Sequence, residues 1–506
     1  MLNINITSRL STVVIGLLIF FVPFFTYLSP DNLRQLDKLD ILELLLSSIV
    51  ILIVISLSSF SVEMLIKRFF KKKIILFPLF CFAFYLQFFY MPILEPLQKV
   101  LYPKFGFIGV PVLIFFELFC LIILLFGVKF NVLALRIILI FSSLMLLITF
   151  IPLVGYLAEN IGKNQVILNE VKSSHYSKDM IIKNRNVYFI ILDEMIDIET
   201  AERFKIATKK EVTGILSSAG LKYINKSHST YGTTEHTMTT LMLLDYFSKF
   251  DELKNYHISN FYPKIMYSMK IEVPLLTYLK KANSDFYWTG KSYGSCIPSS
   301  DWVCINLMKN FLMKNLLNFS STTPLPKILQ RILKINPNQD SISPFLEYID
   351  KNGIPKSPFF AFIHHNSPHE PFRVSSECEP FNFPKQSPEG YKAAYHCALK
   401  NLQIFMEKIN NLDPDAIVIF QADHGLSFST TSIELPNNEE HQLRGKIFNA
   451  IKAPKTCFDK YGLPQTSINS MRFALNCAYG FKLPFRKNIY YEIQGRDVAV
   501  ERKIFD

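Results

Sequence analysis

Charge is what this 506-residue chain has least of. Asp, Glu, Lys and Arg make up 19% of it, against about 25% in an ordinary soluble domain. Half of the chain is hydrophobic and 46 residues are Phe. A disordered chain is thereby excluded, and a purely soluble enzyme is disfavoured. Other absences narrow the field. No C-x-x-C pair exists, so a zinc knuckle is disfavoured. No zinc-finger spacing, RNP-type aromatic motif or isolated basic arm accompanies the net charge of +12, so nucleic acid is not an expected partner. The basic balance suits an anionic membrane surface instead. No A-x-A site follows the first apolar stretch, so that stretch is not a cleavable signal. Length alone allows two to four domains.

What is abundant is concentrated in the first third. Five apolar stretches precede residue 160: Thr12–Ser29, Leu45–Val62, Ile74–Leu94, Phe105–Val128 and Ile137–Ala158. Each approaches the ~20 residues that cross a bilayer. Only Glu117 interrupts the fourth with a charge. The densest basic loop, with Lys67, Arg68, Lys71, Lys72 and Lys73, follows the second stretch and is expected inside. Alternation then places Arg9 and Lys129 inside, and Arg34, Lys38, Lys99 and Lys104 outside. Five spans send everything after residue 160 outside. The expected organisation is a transmembrane domain over 1–160, a linking helix over 161–186 and a catalytic domain over 187–506.

The soluble part alternates strands with helices. Val187-Tyr-Phe-Ile-Ile-Leu-Asp193 reads as a buried strand ending in an acid. Asp285–Thr289, Pro358–Ile363 and Ala416–Gln421 are further strands, the last followed by Asp423. Helical patterns cover Thr234–Leu244, Val273–Ala282, Lys392–Leu412 and Ser467–Ala478. The alternation predicts an α/β domain with a mostly parallel sheet. Sites in such sheets form at the carboxyl ends of strands, so both acidic ends belong to one edge.

Cys81 and Cys120 lie in apolar stretches and read as packing residues. The other six are Cys296, Cys304, Cys378, Cys397, Cys457 and Cys477. In an oxidising compartment they read as disulfides. Sequence leaves the connectivity open; three sequential pairs are the expectation.

Three places carry chemistry: Asp193-Glu194, the segment Tyr231-Gly-Thr-Thr-Glu-His-Thr-Met238, and Gln421-Ala-Asp-His-Gly425. Each alone is weak, since a terminal Asp commonly caps a turn or helix. Together, two carboxylates and an imidazole suit zinc or manganese. A threonine hydroxyl beside such a metal would become a nucleophile. At a helix start it would meet N–H groups suited to phosphate.

In this order the residues resemble the alkaline phosphatase superfamily. Five spans plus an outside sulfatase-like α/β domain is similar to the phosphoethanolamine transferases and lipoteichoic acid synthase. The resemblance implies metal ligands at Asp193, Thr234, Asp423 and His424, with Thr234 preferred to Thr233 as nucleophile on the Gly232-x-Thr234 spacing. It implies substrate contacts from His369, in the family's His-x-Pro place, and from His364; His365 stands beside the latter. Glu194 is either a second metal ligand or a solvated carboxylate. His441 is read as outside the site. The sulfatase nucleophile motif, Cys or Ser followed by x-Pro-x-Arg, is absent, which argues against formylglycine chemistry. Leu426-Ser427 replaces the transferases' Glu-Ser after Asp-His-Gly, which leaves the head group open.

The expected activity is metal-dependent transfer of a phosphoethanolamine or phosphoglycerol head group through a phospho-threonine. The donor would be a phospholipid, the acceptor an envelope glycan or lipid A, and the location a bacterial inner membrane with the catalytic domain in the periplasm. The rivals are a membrane-anchored phosphodiesterase or sulfatase-like hydrolase, and an inactive envelope scaffold.

Overall fold

The computed structural model describes residues 13–14, 16–21, 38–70, 81, 140, 143–144, 147, 151 and 154–155 of the N-terminal part. Beyond them it describes 185–246, 273–290, 302–305, 340–355, 358–381, 383, 387–427, 437–494 and 498–502. The chain forms two compact units, Met1–Lys163 with Met308–Pro337, and Asn164–Leu307 with Asn338–Asp506.

In the first unit, helix α1 (Lys38–Phe70) contains the second apolar stretch and ends on Lys67 and Arg68. Leu46, Ile49, Ile53, Leu57, Phe60 and Met64 are all exposed along it. A second exposed row is Ile140, Leu144, Leu147, Ile151 and Val154. Its spacing of four and three keeps these residues on one helical face. Not every side chain of α1 is described, and among the described residues no helix is long and apolar enough to cross a membrane. Most of the five expected spans, Glu117, Cys120 and the linking helix at 161–182 lie outside the described residues.

The second unit is built on a seven-stranded sheet. Its strands are β1 (Val187–Leu192), β2 (Lys222–Tyr223), β3 (Asp285–Gly290), β4 (Trp302–Cys304), β5 (Phe359–His365), β6 (Ile417–Ala422) and β7 (Asn449–Lys452), in spatial order β2-β7-β6-β1-β5-β3-β4. The central pairs β6-β1, β1-β5, β5-β3 and β3-β4 are parallel, and β7 runs antiparallel to β6. The four expected strands are thus β1, β3, β5 and β6. Their runs are continuous rather than alternating because helices cover both faces. Tyr188, Ile190 and Leu192 of β1 face one core, with α2 (Ile198–Arg203), α3 (Lys209–Ser218), α6 (Ile342–Asn352) and α7 (Pro388–Leu412). Val187, Phe189 and Ile191 face the other, with α4 (Thr234–Leu243), α5 (Pro274–Lys281) and α10 (Ser467–Tyr479). On that second face Trp288 stacks on Phe362 at 4.9 Å and Phe189 on Phe362 at 5.8 Å.

Register decides where the site lies. Ile191 pairs with both His364 and Gln421, and Leu192 with both His365 and Ala422. β1, β5 and β6 therefore end on one rung, and the Asp193 N–H donates to the His365 carbonyl at 3.0 Å. Two helices follow the core strands, α8 (Asn437–Gly445) and α9 (Lys455–Tyr461), and a hairpin of β8 (Tyr490–Gln494) and β9 (Val498–Arg502) closes the chain. Disulfides join Cys378 to Cys397 and Cys457 to Cys477. Cys304 is disulfide-bonded as well, while Cys296 lies outside the described residues. Cys81 is a buried free thiol.

Candidate metal and nucleophile site

Asp193 leaves β1, and Asp423 with His424 leaves β6, so the common rung brings these side chains together. One ligand atom from each lies within 4.8 Å of the others, and all three residues are buried. Asp423 Oδ1 accepts from the N–H groups of Glu194 at 3.1 Å and His424 at 2.9 Å. Its Oδ2 has no hydrogen-bond partner, nor do Asp193 Oδ1 and Glu194 Oε2. Three orphaned carboxylate oxygens in one buried place are costly in any protein. A divalent cation would satisfy them, so these residues fit the metal that the sequence implied.

His424 completes the donor set. Its Nδ1 lies 2.9 Å from the Gly425 carbonyl and its Nε2 3.1 Å from Thr234 Oγ1. A carbonyl only accepts, so Nδ1 carries a proton, and Nε2 is the nitrogen that faces Thr234. Thr234 opens α4, where the N–H groups of a first turn have no helical partner. Its hydroxyl meets the cluster at the His424 imidazole. Thr233, the residue before the helix, bonds His236 Nδ1 instead. Of the two adjacent threonines, the structure brings Thr234 to His424.

Glu194 is 2% exposed, which rules out a solvated carboxylate. It holds a left-handed φ of 62°, a conformation that costs a non-glycine residue free energy. The Asp423 carboxylate and the Tyr391 hydroxyl, which donates to the Glu194 carbonyl at 2.8 Å, hold it there. Burial pushes the Glu194 carboxyl up, and the charges of His369, His424 and Arg444 pull against that. For Asp193, burial also pushes upward, but the His364 hydrogen bond and the charges of His369, His364 and His424 prevail and hold it at about 2.

His364 and His369 approach from the β5 side. His364 Nε2 lies 3.4 Å from Asp193 Oδ2, and His369 Nε2 lies 3.9 Å from Glu194 Oε1. Burial presses the His369 imidazole down, yet Asp193 and Glu194 raise it to about 9. His365 belongs elsewhere: its Nδ1 accepts from the Ser341 N–H at 3.2 Å. His441 pairs with Glu492 at 3.1 Å.

The sequence reads 444–450 as a structural strand and gives Arg444 no role in the site; the strand, β7, begins only at Asn449. At the end of α8 Arg444 serves both motif loops. Its carbonyl accepts from the Gly425 N–H at 2.6 Å, and its Nε donates to the Gly232 carbonyl. A Cβ on Gly425 would meet the Leu443, Lys446 and Arg444 carbonyls at 2.5, 2.8 and 3.0 Å. The glycine of Asp-His-Gly is therefore demanded by close approach to backbone. The one available signal was the pair of glycines, each needing something close against it.

A family model described as Sulfatase matches residues 185–454, more than half of the chain, from the residues just before β1 to those just after β7. Similar solved structures include the C-terminal periplasmic domain of EcEptC from Escherichia coli in complex with zinc (9% identity, 67% of this chain and 96% of that one, TM-score 0.42). Another is the lipoteichoic acid synthase LtaP from Listeria monocytogenes (16% identity, 62% and 77%, TM-score 0.36). A third is the integral membrane lipooligosaccharide phosphoethanolamine transferase A from Neisseria meningitidis (13% identity, 88% and 90%, TM-score 0.38). These scores are too low to add to the family match. No curated protein sequence matches. With the matched segment enclosing Asp193, Thr234, Asp423 and His424, this chain belongs to the sulfatase family.

Proposed function

We propose that this chain is a metal-dependent transferase of phospholipid head groups, with Thr234 as the covalent carrier. The observation that carries this reading is the 3.1 Å approach of Thr234 Oγ1 to His424 Nε2, beside carboxylates with unpaired oxygens. Asp193, Thr234, Asp423 and His424 would hold the ion, zinc or manganese, with Glu194 beside them. Bound there, it would act as a Lewis acid that lowers the pKa of the Thr234 hydroxyl.

The chain's own groups supply the rest. The first-turn N–H groups of α4 receive phosphate oxygens. Thr234 gives its proton to solvent and forms an Oγ1–P bond as the P–O bond to diacylglycerol breaks. The departing alkoxide takes a proton from His369, whose Nε2 faces the acid pair. A hydroxyl of the acceptor, an envelope glycan or lipid A, then attacks phosphorus and gives its proton to the deprotonated His369 as the P–Oγ1 bond breaks, and Thr234 regains a proton from solvent. The head group is of the phosphoethanolamine or phosphoglycerol type. The exposed apolar rows of α1 and of Ile140 to Val154 support a membrane location near a lipid donor. The expected placement is multi-pass in a bacterial inner membrane, with residues 187–506 in the periplasm.

The test is mass spectrometry on metal-loaded protein incubated with phosphatidylethanolamine or phosphatidylglycerol vesicles, beside Thr234→Ala. An adduct on Thr234, absent from the variant, is expected, and its mass names the head group. Phosphodiester cleavage without any adduct would favour the hydrolase. Absence of adduct, cleavage and metal together would favour the scaffold.

A further inference from the structure

We propose that Arg444 is a phosphoryl-binding residue of this site, fixing the turn before Thr234 with its Nε and meeting the incoming phosphate with its two Nη groups. The proposal rests on the transferase reading for its substrate, and on four observations for its geometry.

The Nε bond goes to the carbonyl of Gly232, two residues before Thr234. This turn carries the nucleophile, so the guanidinium lies against the element that must be held in place. The approach is close from the other side as well. A Cβ at Gly232 would stand 3.5 Å from both Cδ and Nε of Arg444, and 2.6 Å from the Tyr490 hydroxyl. What a side chain there would displace is the Tyr490 hydroxyl, while the arginine would stay in ordinary contact with it. Second, the Arg444 main chain is stapled to the other ligand loop through the Gly425 N–H. One residue thus spans the Thr234 turn and the Asp423-His424 turn, and its position is set from both.

Third, the loop that Arg444 holds carries Asp423, whose Oδ1 accepts from the Glu194 N–H at 3.1 Å, so the arginine is anchored on a loop of the acid cluster itself. Fourth, the guanidinium has no carboxylate partner among the described residues, and its Nη groups make no hydrogen bond there. Arg444 is partly exposed. A guanidinium has five N–H donors in a planar fork. Here one is spent on the carbonyl. The remaining four have no partner among the described residues, and the planar fork they form matches two oxygens of a phosphate. A structural arginine at this place would need only its Nε.

The experiment uses the full-length, metal-loaded protein in detergent, with Arg444→Gln, Arg444→Lys and wild type compared. Inorganic phosphate is the probe, followed by calorimetry, with metal content and melting temperature recorded in parallel. Loss of two charge-assisted bonds predicts phosphate binding weakened by about 10²-fold or more in Arg444→Gln, with metal content unchanged. Arg444→Lys should recover part of the affinity, because it restores the charge without the fork. Millimolar ethylguanidinium should restore phosphate binding to Arg444→Gln and leave wild type unaffected. Wild-type affinity in Arg444→Gln would overturn the proposal. So would a joint loss of metal, melting temperature and phosphate binding that neither lysine nor ethylguanidinium repairs, for that would make Arg444 a strut only. Failure of metal-loaded wild type to bind phosphate would overturn it too. A wild type that binds phosphate through Arg444 yet forms no Thr234 adduct from phospholipid would sink the head-group reading and leave this assignment standing.

Discussion

Two buried acid sites in the second unit invite comparison. At the end of α4, Asp245 is 1% exposed and pairs with Arg472 at 3.4 Å and with Arg486. Arg472 also donates through Nε to the Leu244 carbonyl at 2.7 Å, so the C-terminal end of α4 is bound to α10. At the other end of the same helix, Asp193, Glu194 and Asp423 gather with no Lys or Arg ion-paired to any of them among the described residues, and one oxygen of each is unpaired. Both sites bury carboxylates. The first compensates its charge with two guanidinium groups and is architecture. The second has imidazoles rather than guanidinium groups against it and leaves one oxygen of each acid without a partner, which a fold tolerates only where something else arrives to satisfy it.

The largest effect should come from breaking the second site. In Asp423→Asn the amide oxygen still accepts from the Glu194 and His424 N–H groups, but the charge is gone. Bound metal should fall to background and Thr234 labelling should drop by about 10³-fold or more. The melting temperature should hold or rise, because crowded like charges are relieved. A lower melting temperature with metal retained would place Asp423 with the architectural acids.

Asp245→Ala should do the reverse. It strands two arginines near α10 and should cost about 3–5 kcal/mol in a denaturant titration. The fraction that remains folded should still bind metal. Equal stability to wild type would show that Arg472 and Arg486 find other acceptors.

His228 sharpens the comparison from the neutral side. Burial pushes it down to about 4 from an ordinary 6.5, and a hydrogen bond at the Lys226 backbone opposes this only in part. The unfolded chain therefore binds the proton more readily. Stability is complete above pH 6.5 and is lost as pH falls through the folded value. The difference corresponds to roughly 3 kcal/mol. Chemical denaturation between pH 7 and 4 should show it, and His228→Gln should flatten that part of the profile.

The smallest effect is expected at an exposed pair. Lys209 lies 3.4 Å from Glu199 with both side chains largely in water. Lys209→Ala should change unfolding free energy by less than about 0.5 kcal/mol.

Much of this contrast was legible in the chain, and part was not. β1, β3, β5 and β6 announce themselves because a strand covered on both faces is apolar without a break. The acids that end β1 and β6 stand out against that background, as does the Gly232-x-Thr234 spacing before a helix. The short strands β2 and β7 carry no such run. β2 is two residues long, one exposed and one half-buried. Glu194 could not be placed, because its burial depends on a left-handed backbone held by Asp423 and Tyr391, about two hundred residues away in sequence. The same holds for Arg444, whose neighbours in sequence give no hint of Gly232. Asp245 with its arginines is likewise a tertiary arrangement. Sequence periodicity reports which face of an element is buried; it does not report which distant side chain lies against it.

The shared rung of β1, β5 and β6 has a consequence for how such a chain can change over time. A residue inserted within β6 ahead of Asp423 would carry that acid along by about 3.3 Å and turn the side chains after it to the opposite face. Asp193 would lose its neighbour although no ligand had been altered. The segments between the strands carry no such constraint, since their lengths do not enter the register. Drift in length should accumulate between the sheet's strands. The distance from each apolar run to its terminal acid should stay frozen, with the sheet acting as the ruler against which the ligands are set.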